Sequence, residues 1–203
     1  MQTESTGSGP DKTITRWILR AVILVLLIIL AFLGLSALLS PESHLLHGKM
    51  TLSGRAKSAL LGLGTVAAKN GDVPIAAVIL YGDSIIGRGY NTVVRDTNAA
   101  GHAEINAITD ALARIGPSRF NQLSRDSLVM VSTLEPCPMC RGALLEYRFR
   151  HVVFLRGRSF LHWFREFGKQ LKYEWNKEKG TDEAIQDSLL RMHPGYDSTR
   201  IDW

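Results

Sequence analysis

The chain has 203 residues, with 24 Lys and Arg against 19 Asp and Glu, a net charge of +5, and two cysteines. Two cysteines exclude a metal site closed by four thiolates and fit either redox compartment. The basic balance suits an anionic membrane surface or nucleic acid, but it is also ordinary in membrane-linked proteins.

Residues 1–16 form a polar leader, of which Met1 to Asp11 is rich in Ser, Thr and Gly and is expected to be disordered. Ala21 to Leu39 then carries no charge and is rich in Leu, Ile and Val. Roughly 20 apolar residues at about 1.5 Å each cross a bilayer core. Trp17 stands at the start of the run, where interfacial aromatics are common. A secretory signal competes with this reading, because Arg16 and Arg20 precede the run. Signal cores, however, span roughly 7–15 residues, and Ser36-Ala37-Leu38 is a poor cleavage site. A buried globular helix fits less well, since nothing earlier in the chain could cover it. The segment 17–40 therefore reads as an uncleaved single-pass transmembrane helix, with the membrane as a partner. Lys12, Arg16 and Arg20 lie before it and the first cation after it is Lys49, so the nearest charges favour a cytoplasmic N-terminus.

About 150 residues remain, enough for one domain with a core of its own. Residues 41–53 read as a connector. Arg55 to Lys69 is helical in pattern, with Leu60, Leu63 and Ala67 on one side. The apolar run up to Tyr81 that follows Gly71-Asp72-Val73-Pro74 reads as a buried strand, Gly82-Asp83 as a turn and Ser84 to Gly89 as its paired strand. Beyond His102, the residues Ile105, Ile108, Leu112 and Ile115 recur at helical spacing until Gly116-Pro117 stops the helix. Ser127 to Thr133 reads as a strand, about Pro138 to Tyr147 as a helix with Ala143, Leu144 and Leu145 available for packing, and His151 to Leu155 as a strand. This alternation argues for an α/β sheet with helices on its faces.

Two motifs lie at helix starts in that order. His102-Ala103-Glu104 opens one helix, and Pro136-Cys137-Pro138-Met139-Cys140 opens another. His102, Cys137 and Cys140 make the three-ligand set of a catalytic zinc that keeps one position open. The two-residue gap lets both thiols reach one metal from a first helical turn, whose free N–H groups and partial positive charge favour thiolates. Glu104 is not needed as a ligand, and a carboxylate beside such a metal can take a proton from water and pass it to a leaving amine. A lone Cys-x-x-Cys could be a redox pair, but that reading leaves His102, Glu104 and Pro136 without a role.

With Asp72-Val73-Pro74, Gly87-Arg88-Gly89-Tyr90-Asn91, His102-Ala103-Glu104-Ile105 and Thr133-Leu134-Glu135-Pro136-Cys137-Pro138-Met139-Cys140, the chain resembles the cytidine and deoxycytidylate deaminase superfamily. Glu135-Pro136-Cys137 with Met139 is most similar to the branch of tRNA adenosine deaminases and guanine deaminases. The resemblance covers about Gly54 to Leu155 and implies a three-layer α/β/α fold, a Zn2+ cofactor and hydrolytic deamination of a nucleobase, free or in a nucleoside, nucleotide or tRNA. It implies that Glu104 shuttles the proton, that Asn91 hydrogen-bonds the substrate, and that the chain could form a homodimer. Asn after a strand is otherwise a turn residue. Relatives usually carry Gly where this chain has Ala76, whose methyl group either narrows the pocket or fills core. They also tend to have Asp-Pro-Thr-Ala where this chain has Asn98-Ala99-Ala100-Gly101, so the resemblance does not fix the substrate. Family substrates are mostly cytosolic, which opposes the topology that the flanking charges favour.

The expected domains are thus the leader, the anchor, the connector, a zinc deaminase domain over 54–158 and a helical extension over 159–203. In the extension, Phe160, Phe164, Phe167 and Leu171 share one helical face, with Trp163 and Trp175 nearby and Arg156, Arg158, Arg165, Lys169 and Lys172 between them. Such a helix covers a sheet, lies on a lipid surface or grips a nucleic-acid backbone. Asp182 to Met192 reads as a further short helix and His193 to Trp203 as a polar tail. Two other functions fit the same residues: an exported deaminase effector acting on foreign nucleic acid, and a binding module that keeps zinc for folding.

Overall fold

The structure is a computed structural model that describes residues 12–38, 50–181 and 183–192. The leader up to Asp11, most of the connector and the tail from His193 lie outside the described residues. The chain divides into two compact units between Gly157 and Arg158.

The first unit begins with α1 (Lys12–Leu38). Its segment Trp17–Gly34 is, among the described residues, the one long and apolar enough to cross a membrane, and none of it is buried. After the connector come α2 (Gly54–Lys69), β1 (Ala76–Tyr81), β2 (Ser84–Tyr90), α3 (Ala103–Ile115), α4 (Pro117–Gln122), β3 (Leu128–Leu134), α5 (Pro138–Glu146) and β4 (His151–Arg156). Ser53 caps α2, its hydroxyl accepting from the Ala56 amide at 3.3 Å. The strands form one mixed sheet in the order β2-β1-β3-β4. β1 is antiparallel to both β2 and β3, and β3 is parallel to β4 across the α5 crossover. β2 and β3 therefore run the same way, and their C-terminal ends share one end of the sheet.

Two cores lie on the two sheet faces, as strand alternation requires. Ala76, Val78 and Leu80 of β1 pack with Leu52, Ala56 and Leu60 below α2. Ala77 and Ile79 pack with Leu128 and Met130 of β3, Phe120 of α4, Leu144 of α5 and the inner face of α3. That inner face differs from the expected stripe. Its fully buried residues are Ala103, Ala107 and Ala111, whereas Ile105, Leu112 and Ile115 are only partly buried. Small residues are used because α3 lies almost on the β2 backbone. A Cβ at Gly87 would meet the Ala107 carbonyl oxygen at 2.4 Å, and one at Gly89 would meet the Ala103 oxygen at 2.1 Å and the Ala107 nitrogen at 2.3 Å. Gly89→Ala must push the whole helix off the strand, and overpacking of this kind costs about 3 kcal/mol or more. A fall in the denaturation midpoint, with zinc content falling alongside, checks this. An unchanged midpoint would show that α3 is less tightly seated.

α4 was not expected. Pro117 both stops α3 and starts the next helix, because its missing N–H and fixed φ suit a first helical position. Gly116, at φ 79°, serves as the C-cap of α3 and the N-cap of α4. α5 buries Cys140 and Leu144, while Leu145 is exposed.

The second unit holds α6 (Phe160–Asn176) and α7 (Glu183–Arg191). Ser159 caps α6 by accepting the His162 amide at 3.3 Å. No residue of α6 is buried.

Candidate active site

Both motifs sit at helix starts at the end of the sheet where β2 and β3 finish. His102 and Cys137 occupy the N-cap positions of α3 and α5, with extended backbones at φ −77°, ψ 151° and φ −71°, ψ 170°. Cys140 lies in the first turn of α5, fully buried. The three donor atoms converge. Nδ1 of His102 lies 3.5 Å from Sγ of Cys137 and 3.5 Å from Sγ of Cys140, and the two sulfurs are 3.6 Å apart.

Those distances test whether a metal fits. A tetrahedral zinc with Zn–N near 2.0–2.1 Å and Zn–S near 2.3 Å places neighbouring donors ~3.6 Å apart for N···S and ~3.8 Å for S···S. The triangle matches these edges, and one imidazole with two thiols is a zinc donor set. No other group of three His, Cys, Asp or Glu ligand atoms converges in this way among the described residues. The thiols also share a proton in a defined sense. The Cys137–Cys140 sulfur contact, with the Met139 and Cys140 amides and the His102 ring, holds the Cys137 thiol down at about 5. Cys140 moves the opposite way, through that same contact, burial and the nearby Glu104 carboxylate.

Glu104 is the acidic residue in the first turn of α3 and is only 4% exposed. Its Oε1 accepts from the Ser132 hydroxyl at 3.1 Å, and its Oε2 lies 3.4 Å from Cys140 Sγ. One oxygen is therefore held by the sheet, while the other stands beside the donor triangle. Ser132 escaped the sequence reading. It is a fully buried hydroxyl that, with Thr133, closes the apolar run of β3 four residues before Pro136, and that polar pair ahead of the motif is the signal that could have found it.

Asn91 follows β2 and is nearly buried. Its Oδ1 accepts the Val93 amide at 3.1 Å, a turn-forming contact, and this leaves the side-chain nitrogen as its free donor group. Asn106 of α3 ties this loop to the metal motif. Its Nδ2 donates to the Tyr90 carbonyl at 2.8 Å, to Thr92 Oγ1 at 3.1 Å and to the Gly101 carbonyl at 3.4 Å. Asp72 anchors the far side by accepting the Val94 and Arg95 amides at 2.7 and 3.3 Å. Neither residue was given a role from sequence. Asn98 to Gly101 forms the turn that enters His102, where a Cβ at Gly101 would meet Thr92 Oγ1 at 2.7 Å. Ala76 belongs to the core under α2, on the face opposite Ser132 and Glu104, so its methyl group fills core and does not narrow the site.

Residues 55–156 match the family described as the cytidine and deoxycytidylate deaminase zinc-binding region. Over 95 residues the chain is 42% identical to a tRNA(Ile)-lysidine synthase of Deinococcus radiodurans, covering 46% of this chain and 16% of that protein. Over 88 residues it is 36% identical to a tRNA-specific adenosine deaminase of Buchnera aphidicola, covering 43% of this chain and 55% of that protein. The chain thus spans between about a sixth and just over half of these relatives. The fold is similar to that of guanine deaminase from Bacillus subtilis, with a TM-score of 0.53 at 22% identity over 72% of this chain and 98% of that one.

Proposed function

The chain belongs to the cytidine and deoxycytidylate deaminase family, matched over its zinc-binding region, and on that premise we propose that it removes the exocyclic amine of a nucleobase by hydrolysis. The base is free or part of a nucleoside, a nucleotide or tRNA. The observation that carries this reading is the His102–Cys137–Cys140 triangle with the Glu104 carboxylate beside it. The 36% identity to a tRNA-specific adenosine deaminase supports a base within tRNA as one of the substrates to test first.

His102 Nδ1 and the two cysteine sulfurs hold the zinc. When bound, zinc supplies the Lewis acidity that makes water a nucleophile near neutral pH. Glu104 Oε2 accepts the proton of the attacking water while Ser132 fixes Oε1. The same carboxylate then delivers protons to the ring nitrogen and to the departing amine, so the base and one water become the oxo-base and ammonia. Asn91 donates its side-chain N–H to the base or sugar. Asn91→Ala should lower kcat/KM by about tenfold or more with zinc retained. An unchanged kcat/KM would leave Asn91 with its turn role alone.

Trp17–Gly34 anchors the protein in this reading, supported by the uncharged run from Ala21 to Leu39, which exceeds a signal core, and by the absence of any buried residue in Trp17–Gly34. The deciding experiment is ammonia release by the full chain against a panel of bases, nucleosides, nucleotides and tRNA, with and without a chelator. Chelator-sensitive release from one class supports the reading. Zinc-loaded protein inactive on every class would instead favour a zinc-stabilised binding module.

A further inference from the structure

The second unit carries an aromatic surface on α6. At about 100° per residue, Phe160, Trp163, Phe164, Phe167, Leu171 and Trp175 of α6 fall within about 120° of arc. All are exposed, from Trp163 at 42% to Trp175 at 90%. Lys172, Arg165 and Lys169 follow one another round one shoulder and onto the opposite side. Glu174 falls inside the apolar arc and is paired with Lys177, and Glu166 is paired with Lys169 at 2.7 Å.

We propose that α6 is an interfacial helix that lays this aromatic face on an anionic lipid surface. Helices that lie in the plane of a membrane combine Trp, Phe and Leu on one face with Lys and Arg on the other. Long basic side chains on a shoulder reach headgroups while their stems stay on the apolar boundary. The charge complement of this shoulder is therefore an acidic phospholipid. A second copy of the chain fits less well. The best heptad seam, Phe160, Phe164, Phe167 and Leu171, meets Glu174 at its next core position, so it lasts under two heptads, short of the three or four that mark a coiled coil, and it leaves Trp163 and Trp175 outside the core. A nucleic-acid strand also fits less well, because the Phe160, Trp163 and Phe167 rings stack on one another, with centroids 6.4 and 5.9 Å apart, and not as separate platforms for bases.

The inference concerns α6 alone and does not depend on α1 being an anchor. The test uses the full chain with Trp17, Trp175 and Trp203 changed to Phe, so that Trp163 alone reports. This protein is mixed with phosphatidylcholine vesicles, with or without phosphatidylserine, that carry lipids brominated near the headgroup. Trp163 should be quenched at least about threefold more in the anionic vesicles. Phe164→Glu with Phe167→Glu should abolish the quenching, and Arg165→Gln with Lys169→Gln and Lys172→Gln should remove the preference for anionic lipid. The second set leaves the apolar face intact, so it keeps the test open if the first set loses its helix by circular dichroism. Carbonate extraction of the same vesicles reads α1 separately and should be unaffected by either set. Four outcomes overturn the proposal: no quenching in either vesicle, equal quenching in both, protection of Trp163 by RNA in place of lipid, or a concentration-dependent dimer that the Phe164 and Phe167 changes dissolve.

Discussion

Glu104→Gln should lower kcat by about 10³-fold or more while one zinc stays bound per chain. The substitution keeps volume and shape, and an amide oxygen can still accept from Ser132, so α3 has no reason to move. It loses only the capacity to take and return a proton. Because Glu104 is nearly buried and is not one of the three converging donors, its charge has a cost that packing does not explain. A structural role would predict the reverse pattern, with turnover retained and the unfolding midpoint lowered. Measuring ammonia release and metal content on the same preparation separates the two, and retained turnover would remove Glu104 from the chemistry.

Ser132→Ala extends the same logic. It frees Oε1 without touching the donor triangle, so its effect on kcat should be smaller than that of Glu104→Gln.

The metal motif was legible in the sequence because its chemistry needs particular residue types at fixed spacing. His102, Glu104, Cys137 and Cys140 announce themselves on helix starts, and the structure brings all four together. Most elements were legible for a similar reason: the runs ending at Tyr81 and Thr133 are bounded by turn formers. What was not legible depends on parity and register. Ala76 and Ala77 are neighbours in an apolar run, yet one packs under α2 and the other faces the site. Only the pairing of Ala77 with Ser132 decides which is which. The alanine stripe of α3 was passed over because periodicity weights large residues, whereas the close approach to Gly87 and Gly89 rewards small ones. Asn106 stands out by no motif or spacing in the sequence. Its three acceptors lie at the two ends of the loop between β2 and α3, which come together only in the fold.

That clamp also bears on substrate choice. Asn91 and His102 lie at opposite ends of the loop that Asn106 and Thr92 hold together, so the donor proposed for the base and the imidazole proposed for the metal keep a fixed relation. The departure at Asn98 to Gly101 lies within this loop.

Cys140→Ser should remove zinc and turnover together, in contrast to Glu104→Gln. Two donors and a hydroxyl make a poor zinc site at neutral pH, so metal content should fall from about one per chain to about a tenth or less, and ammonia release to background. Cys140 is fully buried in the first turn of α5, and the triangle it completes also joins α5 to the start of α3. Losing the metal therefore loosens two helices, and the unfolding midpoint of the zinc-loaded protein should drop while that of the chelated protein changes little. The sign with pH follows from the two thiols. Cys137, lowered to about 5, is already a thiolate at neutral pH, whereas Cys140 keeps its proton until metal displaces it. Zinc affinity should consequently fall as pH is lowered, first against the Cys140 proton and then further as pH passes through about 5 and Cys137 is protonated as well. Metal titrations across that range, run beside the serine variant, test the assignment, and a variant that held zinc as tightly as the wild-type chain would exclude Cys140 as a ligand.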